Sequence, residues 1–247
     1  MKILGVIPAR FASTRFPAKP LADLGGKSMI ERVYQQAKKS KSLSRVVVAT
    51  DHSKIFDHVQ SFGGEVVMTA EHHPSGTDRV REALHLCGQH FEYVINVQGD
   101  EPFIAPEQID LLASLLKGDT ELATLLKKID DREQLFNPNV VKAIRNQQSE
   151  AIYFSRSPIP HMRNQPESEW LKHHTFFKHI GLYAYRADVL DNITQLPISS
   201  LERAESLEQL RWIENGYTIK VAETQLETIG IDTPEDLTKA LQYLKTL

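Results

Sequence analysis

The apolar positions of this chain follow two alternating spacings. Ile3–Ile7, Arg45–Thr50, Glu65–Thr69 and Glu92–Gln98 are short runs rich in Val and Ile, the pattern of buried strands. Between them the spacing lengthens. Ser28–Lys39 puts Met29, Ile30, Val33, Tyr34 and Ala37 on one helical face. A second helix carries Ile55, Phe56, Val59 and Phe62 and stops at Gly63-Gly64, and a third spans Thr77–Cys87. Pro106–Leu116 is a fourth, with Pro106 in its first turn. Four strand–helix units in the first ~115 residues predict an α/β fold: a doubly wound, mostly parallel sheet with helices on both faces.

The rhythm then changes. Leu122–Lys127, Val140–Arg145, Ala151–Ser155 and Phe176–Tyr185 are strand-like with little helix between them, and Ser157–Trp170 is polar and proline-bearing. A smaller mixed or antiparallel extension is expected there. A helix over Arg203–Asn215, a strand over Thr218–Ala222 and a helix over Pro234–Leu247 close the chain. With no repeat or flexible linker, residues 1–247 are expected to form a single α/β domain, with 120–190 as its extension.

Composition narrows the function classes. The 247 residues are 41% hydrophobic and 25% charged, as in ordinary globular proteins. A net charge of −3 disfavours a nucleic-acid binder that works by neutralising phosphates. The single Cys87 excludes an internal disulfide and a cysteine zinc site. The apolar run at the N-terminus is short for a signal peptide, and no run reaches the ~20 apolar residues of a membrane span. A cytoplasmic protein is expected, and the sequon at Asn192 is read as chance.

Charge is instead concentrated locally. The loop after the first strand packs Arg10, Ser13, Arg15 and Lys19 between Pro8, Pro17 and Pro20. Prolines exclude a helix there and disfavour a sheet interior. A fixed cationic loop leaving a strand's carboxyl end suits a polyanion, although a solvated basic turn has the same composition. The standard glycine cradles are missing: Gly26-Lys27-Ser28 lacks the upstream glycine of a P-loop, since residue 21 is Leu, and there is no G-x-G-x-x-G.

Asp100, just past an apolar strand in the turn Gly99-Asp100-Glu101-Pro102, is either a magnesium ligand or a turn stabiliser. Asp232, before Thr233-Pro234-Glu235, is either a second ligand or part of a helix cap. Ser75-Gly-Thr-Asp-Arg79 opens a helix and reads as plain capping or as a ligand-facing N-terminus. His179 reads as a structural strand histidine, Glu208-Gln209 as a solvated helix face, and His72-His73 and His173-His174 as surface residues.

Together, P-A-R-F-A-S-T-R-F-P-A-K-P-L, A-T-D, S-G-T-D-R, N-V-Q-G-D-E-P, Y-F-S-R-S-P-I-P, K-H-I-G-L-Y-A-Y-R, L-E-Q-L-R and G-I-D-T-P-E-D-L resemble the 3-deoxy-manno-octulosonate (Kdo) cytidylyltransferase family. The resemblance runs in order from Ile3 to about Leu241. It implies the nucleotide-diphospho-sugar transferase fold and magnesium-dependent transfer of CMP from CTP to the anomeric hydroxyl of Kdo. Pyrophosphate is released, the route is lipopolysaccharide synthesis, and the enzyme is a homodimer. By position, Arg10 and Lys19 would hold the triphosphate, with Ser13 and Arg15 supporting the loop. Arg79 and Gln98, with the backbone of Pro8 and Ala9, would fix the cytidine. Asp100 and Asp232 would bind magnesium. Arg156, His179, Tyr183, Glu208 and Gln209 would contact the sugar acid. Alternatives are a cytidylyltransferase for a related acid such as 8-amino-Kdo, a regulator without catalysis, and a structural module.

Overall fold

A computed structural model of the chain describes residues 1–12 and 16–246. It divides into two compact units, Met1–Asp110 with Thr228–Leu247 and Leu111–Glu227. The expectations for Ser13 and Arg15 lie outside the described residues.

In the first unit, β1 (Ile3–Ala9), α1 (Met29–Ala37), β2 (Arg45–Thr50), α2 (Ser53–Ser61), β3 (Val66–Met68), α3 (Gly76–Leu86) and β4 (Tyr93–Asn96) follow the expected alternation. α4 (Pro106–Ser114) comes next. The strand order β3-β2-β1-β4 is parallel throughout. Every residue of β1 from Ile3 to Ile7 is buried, so both sheet faces are covered, as parallel sheets require. Ser28 starts α1 by accepting from the Glu31 N–H at 3.2 Å, a cap that contributes about 1 kcal/mol.

Two expectations about the loop fail. Lys19–Leu21 forms a short 3-10 helix, in which Pro20 sits in the first turn where no donor is needed. Pro8 belongs to β1, in register with Ala49. The register with β4 ends at Val6↔Asn96, so past that point β1 lacks a partner on one side and tolerates a missing donor.

The second unit contains β5 (Leu122–Lys128), α5 (Arg132–Phe136), β6 (Lys142–Arg145), β7 (Ala151–Ser155), α6 (Trp170–His173), β8 (Phe177–Arg186), α7 (Ala187–Ile193), α8 (Ser200–Glu205), α9 (Gln209–Glu214) and β9 (Ile219–Glu223). β5 runs antiparallel to β8 and parallel to β9, and β6 is antiparallel to β7 and β8. This is the expected mixed extension, and the fold class is as the sequence implied. The helix expected over Arg203–Asn215 is instead two. Ser206 adopts φ 53°, a left-handed stop, and its carbonyl and that of Glu205 accept from the Arg156 guanidinium.

The chain returns to the first unit with α10 (Pro234–Leu244). Leu24, Met29, Ile231 and Ala240 form a buried cluster there, joined by Phe16, Phe103, Leu237 and Leu241. That cluster seats α10 beside the cationic loop and so fixes where Asp232 lies.

Candidate active site

Strand order reverses between β1 and β4, and ligands of open α/β sheets bind outside the strand ends at such a switch point. A cavity of about 370 Å³ lies there, lined by Arg10, Lys19, Arg79, Gln98, Asp100 and Asp232 among others. Gly99 lets the floor close up: a Cβ at that position would sit 2.6 Å from the Pro8 carbonyl oxygen.

Lys19 is the hub. Its Nζ donates to Asp100 Oδ2 at 2.9 Å, to Asp232 Oδ1 at 3.1 Å and to the Ile231 carbonyl at 2.9 Å, using all three hydrogens. The turn of Asp100 is docked on the same segment, since its carbonyl accepts from the Ile231 N–H at 2.9 Å. Asp100 therefore reaches across the fold rather than bracing its own turn. Capping does not occupy Asp232 either. Thr233 is the N-cap of α10, in a capping box with Asp236, which leaves the Asp232 carboxylate to face Lys19. Burial, then the negative charge of Asp100, pushes the Glu101 carboxyl up to about 8, so it is largely neutral at pH 7.

Two carboxylates drawn together by one ammonium fit a hard divalent cation. No group of three or more His, Cys, Asp or Glu side chains able to hold a metal occurs among the described residues. Magnesium matches that donor set, because it keeps waters and takes its other ligands from phosphate.

The neck of the cationic loop is closed by the Ala18 N–H donating to the Phe11 carbonyl at 3.1 Å. The Phe11 ring stacks on His52 at 3.9 Å, and its N–H donates to Asp51 Oδ1 at 3.3 Å. Asp51, the last residue of A-T-D, has a second role. Its Oδ2 accepts from Arg79 at 2.7 Å, while Thr69 Oγ1 takes a second guanidinium hydrogen. Arg79 is 4% exposed, so this ion pair is buried. Removing one partner of such a pair costs several kcal/mol, because the other is left charged and dry. Asp51→Asn is expected to destabilise folding by about 3 kcal/mol, measured as a shift of the urea midpoint at pH 7. Ser75 caps α3, accepting from the Asp78 N–H and donating to its carboxylate, and with Gly76 it also lines the cavity. His73 is a correction: it lines the cavity and pairs with Glu82 instead of standing on the open surface.

The sugar-acid candidates gather in the second unit around β8 and the α8–α9 turn. The guanidinium of Arg156 donates to the carbonyls of Glu205, Ser206 and Pro138. Its N–H meets the Glu205 carboxylate, which also accepts from Ser155 Oγ at 2.6 Å. This lattice fixes the turn that leads into Glu208 and Gln209. Gln209 is 6% exposed, so the solvated-face expectation is corrected. The break at Ser206 turns it inward.

The His179 ring lies 5.1 Å from both Phe154 and Tyr183. Thr124 Oγ1, 2.9 Å from His179 Nε2, has carbonyl acceptors at Leu182 and Ile180 for its own proton, so Nε2–H is the donor between them. Desolvation pushes His179 down to about 3, and the imidazole is neutral at pH 7. It cannot pair by charge with a sugar carboxylate. The Tyr183 hydroxyl is buried with no hydrogen-bond partner among the described residues, an open position for a ligand hydroxyl.

Between about pH 3 and 6.5 the unfolded chain protonates His179 and the native chain does not, so stability rises with pH in that window. At roughly 1.4 kcal/mol per pH step below 6.5, the native state should lose about 2 kcal/mol on going from pH 7 to pH 5. His179→Gln should remove that share, as read from urea midpoints at the two pH values.

A cavity lined by Arg10, Lys19, Asp100 and Asp232 at the switch point of a parallel sheet suits nucleotidyl transfer, and residues 4–224 match the cytidylyltransferase family, to which the chain belongs. It is 58% identical to the 3-deoxy-manno-octulosonate cytidylyltransferase of Parabacteroides distasonis, over 99% of this chain and 98% of that one. The protein of the same name from Cytophaga hutchinsonii is also 58% identical, over 96% and 95%. The solved structure of CMP:2-keto-3-deoxy-manno-octonic acid synthetase complexed with CTP superposes with a TM-score of 0.92 at 42% identity, covering 100% of this chain and 99% of that chain. This chain is a member of the 3-deoxy-manno-octulosonate cytidylyltransferase family.

Proposed function

We propose that the protein transfers CMP from CTP to the anomeric hydroxyl of Kdo and releases pyrophosphate. The observation that carries this is the Lys19 ammonium holding Asp100 and Asp232 together at the carboxyl ends of β1 and β4. The sugar hydroxyl attacks the α-phosphorus, a P–O bond to it forms, the bond to the pyrophosphate oxygen breaks, and the hydroxyl proton leaves to solvent. Such a transfer needs alignment and charge neutralisation more than covalent help from the protein. Arg10 and Lys19 bind the triphosphate, Lys19 by exchanging one of its three present acceptors for a phosphate oxygen. Arg79, Gln98 and the Pro8–Ala9 backbone position the nucleoside. Asp100 and Asp232 hold magnesium, which when bound neutralises charge on the phosphate oxygens. Arg156, His179, Tyr183, Glu208 and Gln209 orient the sugar acid, with His179 acting through hydrogen bonding and shape.

No described helix is long and apolar enough to cross a membrane. A cytoplasmic homodimer is part of this proposal, as the family resemblance implies. The test is pyrophosphate release with CTP, UTP and ATP, each against Kdo, 8-amino-Kdo and a nonulosonate. The CTP–Kdo pair is expected to give the highest kcat/KM; a clear preference for 8-amino-Kdo would overturn the choice of acceptor.

A further inference from the structure

Two basic groups in the cavity wall over residues 73–79 each have an acid behind them. Arg79 pairs with Asp51 and His73 with Glu82. Arg10, by contrast, has no acidic partner among the described residues and is exposed. A guanidinium whose charge is already paired suits an uncharged ring, and an unpaired cation suits phosphate. The 73–79 wall is therefore the part of the cavity fitted to the base.

Resting on the CTP reading above, we propose that His73, held by Glu82, is a specificity-determining residue that accepts a hydrogen bond from the 4-amino group of cytosine and rejects the 4-carbonyl of uracil. Burial opposes ionisation of Glu82, but hydrogen bonds from His73 and the Ala70 N–H outweigh it and hold the carboxyl below its ordinary value. Glu82 is thus a carboxylate that can only accept, and the proton between the two groups sits on His73 Nε2. With Nε2 turned to the carboxylate, Nδ1 is the ring nitrogen left for a ligand, and it has no partner among the described residues. Glu82 also accepts from the Ala70 N–H at 2.9 Å, which fixes its position in the loop that precedes α3.

The other side chains of this wall present no fixed acceptor to a 4-amino group. Arg79 only donates, so it serves a ring oxygen or the N3 lone pair of cytosine and cannot accept from an amino group. The Gln98 amide offers an oxygen or an NH₂ group and fits either base. Ser75 Oγ both accepts from and donates to Asp78. A site that presents a fixed acceptor to an amino group meets a carbonyl with lone pair against lone pair, and polar mismatch of this kind discriminates strongly.

The experiment compares kcat/KM for CTP and UTP, with Kdo as acceptor, in the wild type, His73→Phe and Glu82→Gln, with thermal melts to confirm folding. His73→Phe should narrow the CTP/UTP ratio by about tenfold or more, mainly through a higher KM for CTP. Glu82 is a positioning residue with a signature of its own. In Glu82→Gln the amide that replaces the carboxylate can donate to Nε2, which moves the ring proton to Nδ1 and shifts preference toward UTP. Equal losses on both nucleotides in His73→Phe, or an unchanged ratio in Glu82→Gln, would overturn the proposal. If one variant does not fold, the other decides. A wild type that makes no use of CTP in the same assay would instead remove the nucleotide reading itself, so the two failures are distinct.

Discussion

Asp100→Asn is expected to lower pyrophosphate release by roughly 10³-fold, about 4 kcal/mol of barrier, while the thermal midpoint changes little. The amide keeps the size of the side chain and can still accept from Lys19 with one oxygen, so the turn 99–102 and its bond to Ile231 persist. What disappears is half of the anionic pair, and with it the affinity for a hard cation. The loss should fall on kcat more than on the KM for Kdo, because the Kdo candidates Arg156, Tyr183 and Glu208 belong to the second unit and Asp100 to the first. Rapid pyrophosphate release by this variant at ordinary magnesium concentrations would remove the metal role of Asp100.

Lys19→Ala has the second largest expected effect. It should remove at least about 2 kcal/mol of transition-state stabilisation, or roughly thirtyfold in kcat/KM, the scale of one donor aimed at a developing anion. A structural consequence accompanies it. Without the ammonium, Asp100 and Asp232 face each other as like charges, and a divalent ion becomes their remaining counter-charge. Added magnesium should therefore raise the thermal midpoint of Lys19→Ala more than that of the wild type, since a ligand stabilises the state it binds. A fall in kcat/KM of less than threefold, with no extra response to magnesium, would count against Lys19 as the hub.

Local patterns carried much of this architecture. The apolar runs of β1, β2 and β4 and the stripe of α1 are short-range signals, and they locate the switch point at which Asp100 lies. The candidacy of Asp100, and the weaker one of Asp232, could be read from strand ends and a turn. Long-range pairing could not. Whether Asp232 caps α10 or faces the cavity depends on Lys19, 213 residues away. The second role of Asp51 depends on Arg79, 28 residues on, and the cavity-facing position of His73 on Glu82. The stop at Ser206 has no glycine or proline to announce it. It is stabilised by Arg156, 50 residues earlier, and it is why Gln209 is buried where helical periodicity alone gave one exposed face. A neutral His179 follows from desolvation among Phe154, Tyr183 and Thr124, which no spacing rule encodes.

Asp100 and Asp232 serving one shared cation is the claim on which the catalytic reading turns, and a double-mutant cycle tests it directly. kcat/KM for CTP should be measured at saturating Kdo for Asp100→Asn, Asp232→Asn and the double variant. Residues that act as a unit are strongly non-additive, so the double variant should be only a few-fold slower than the slower single one. If the two losses multiply instead, the carboxylates act independently and do not hold a common ion.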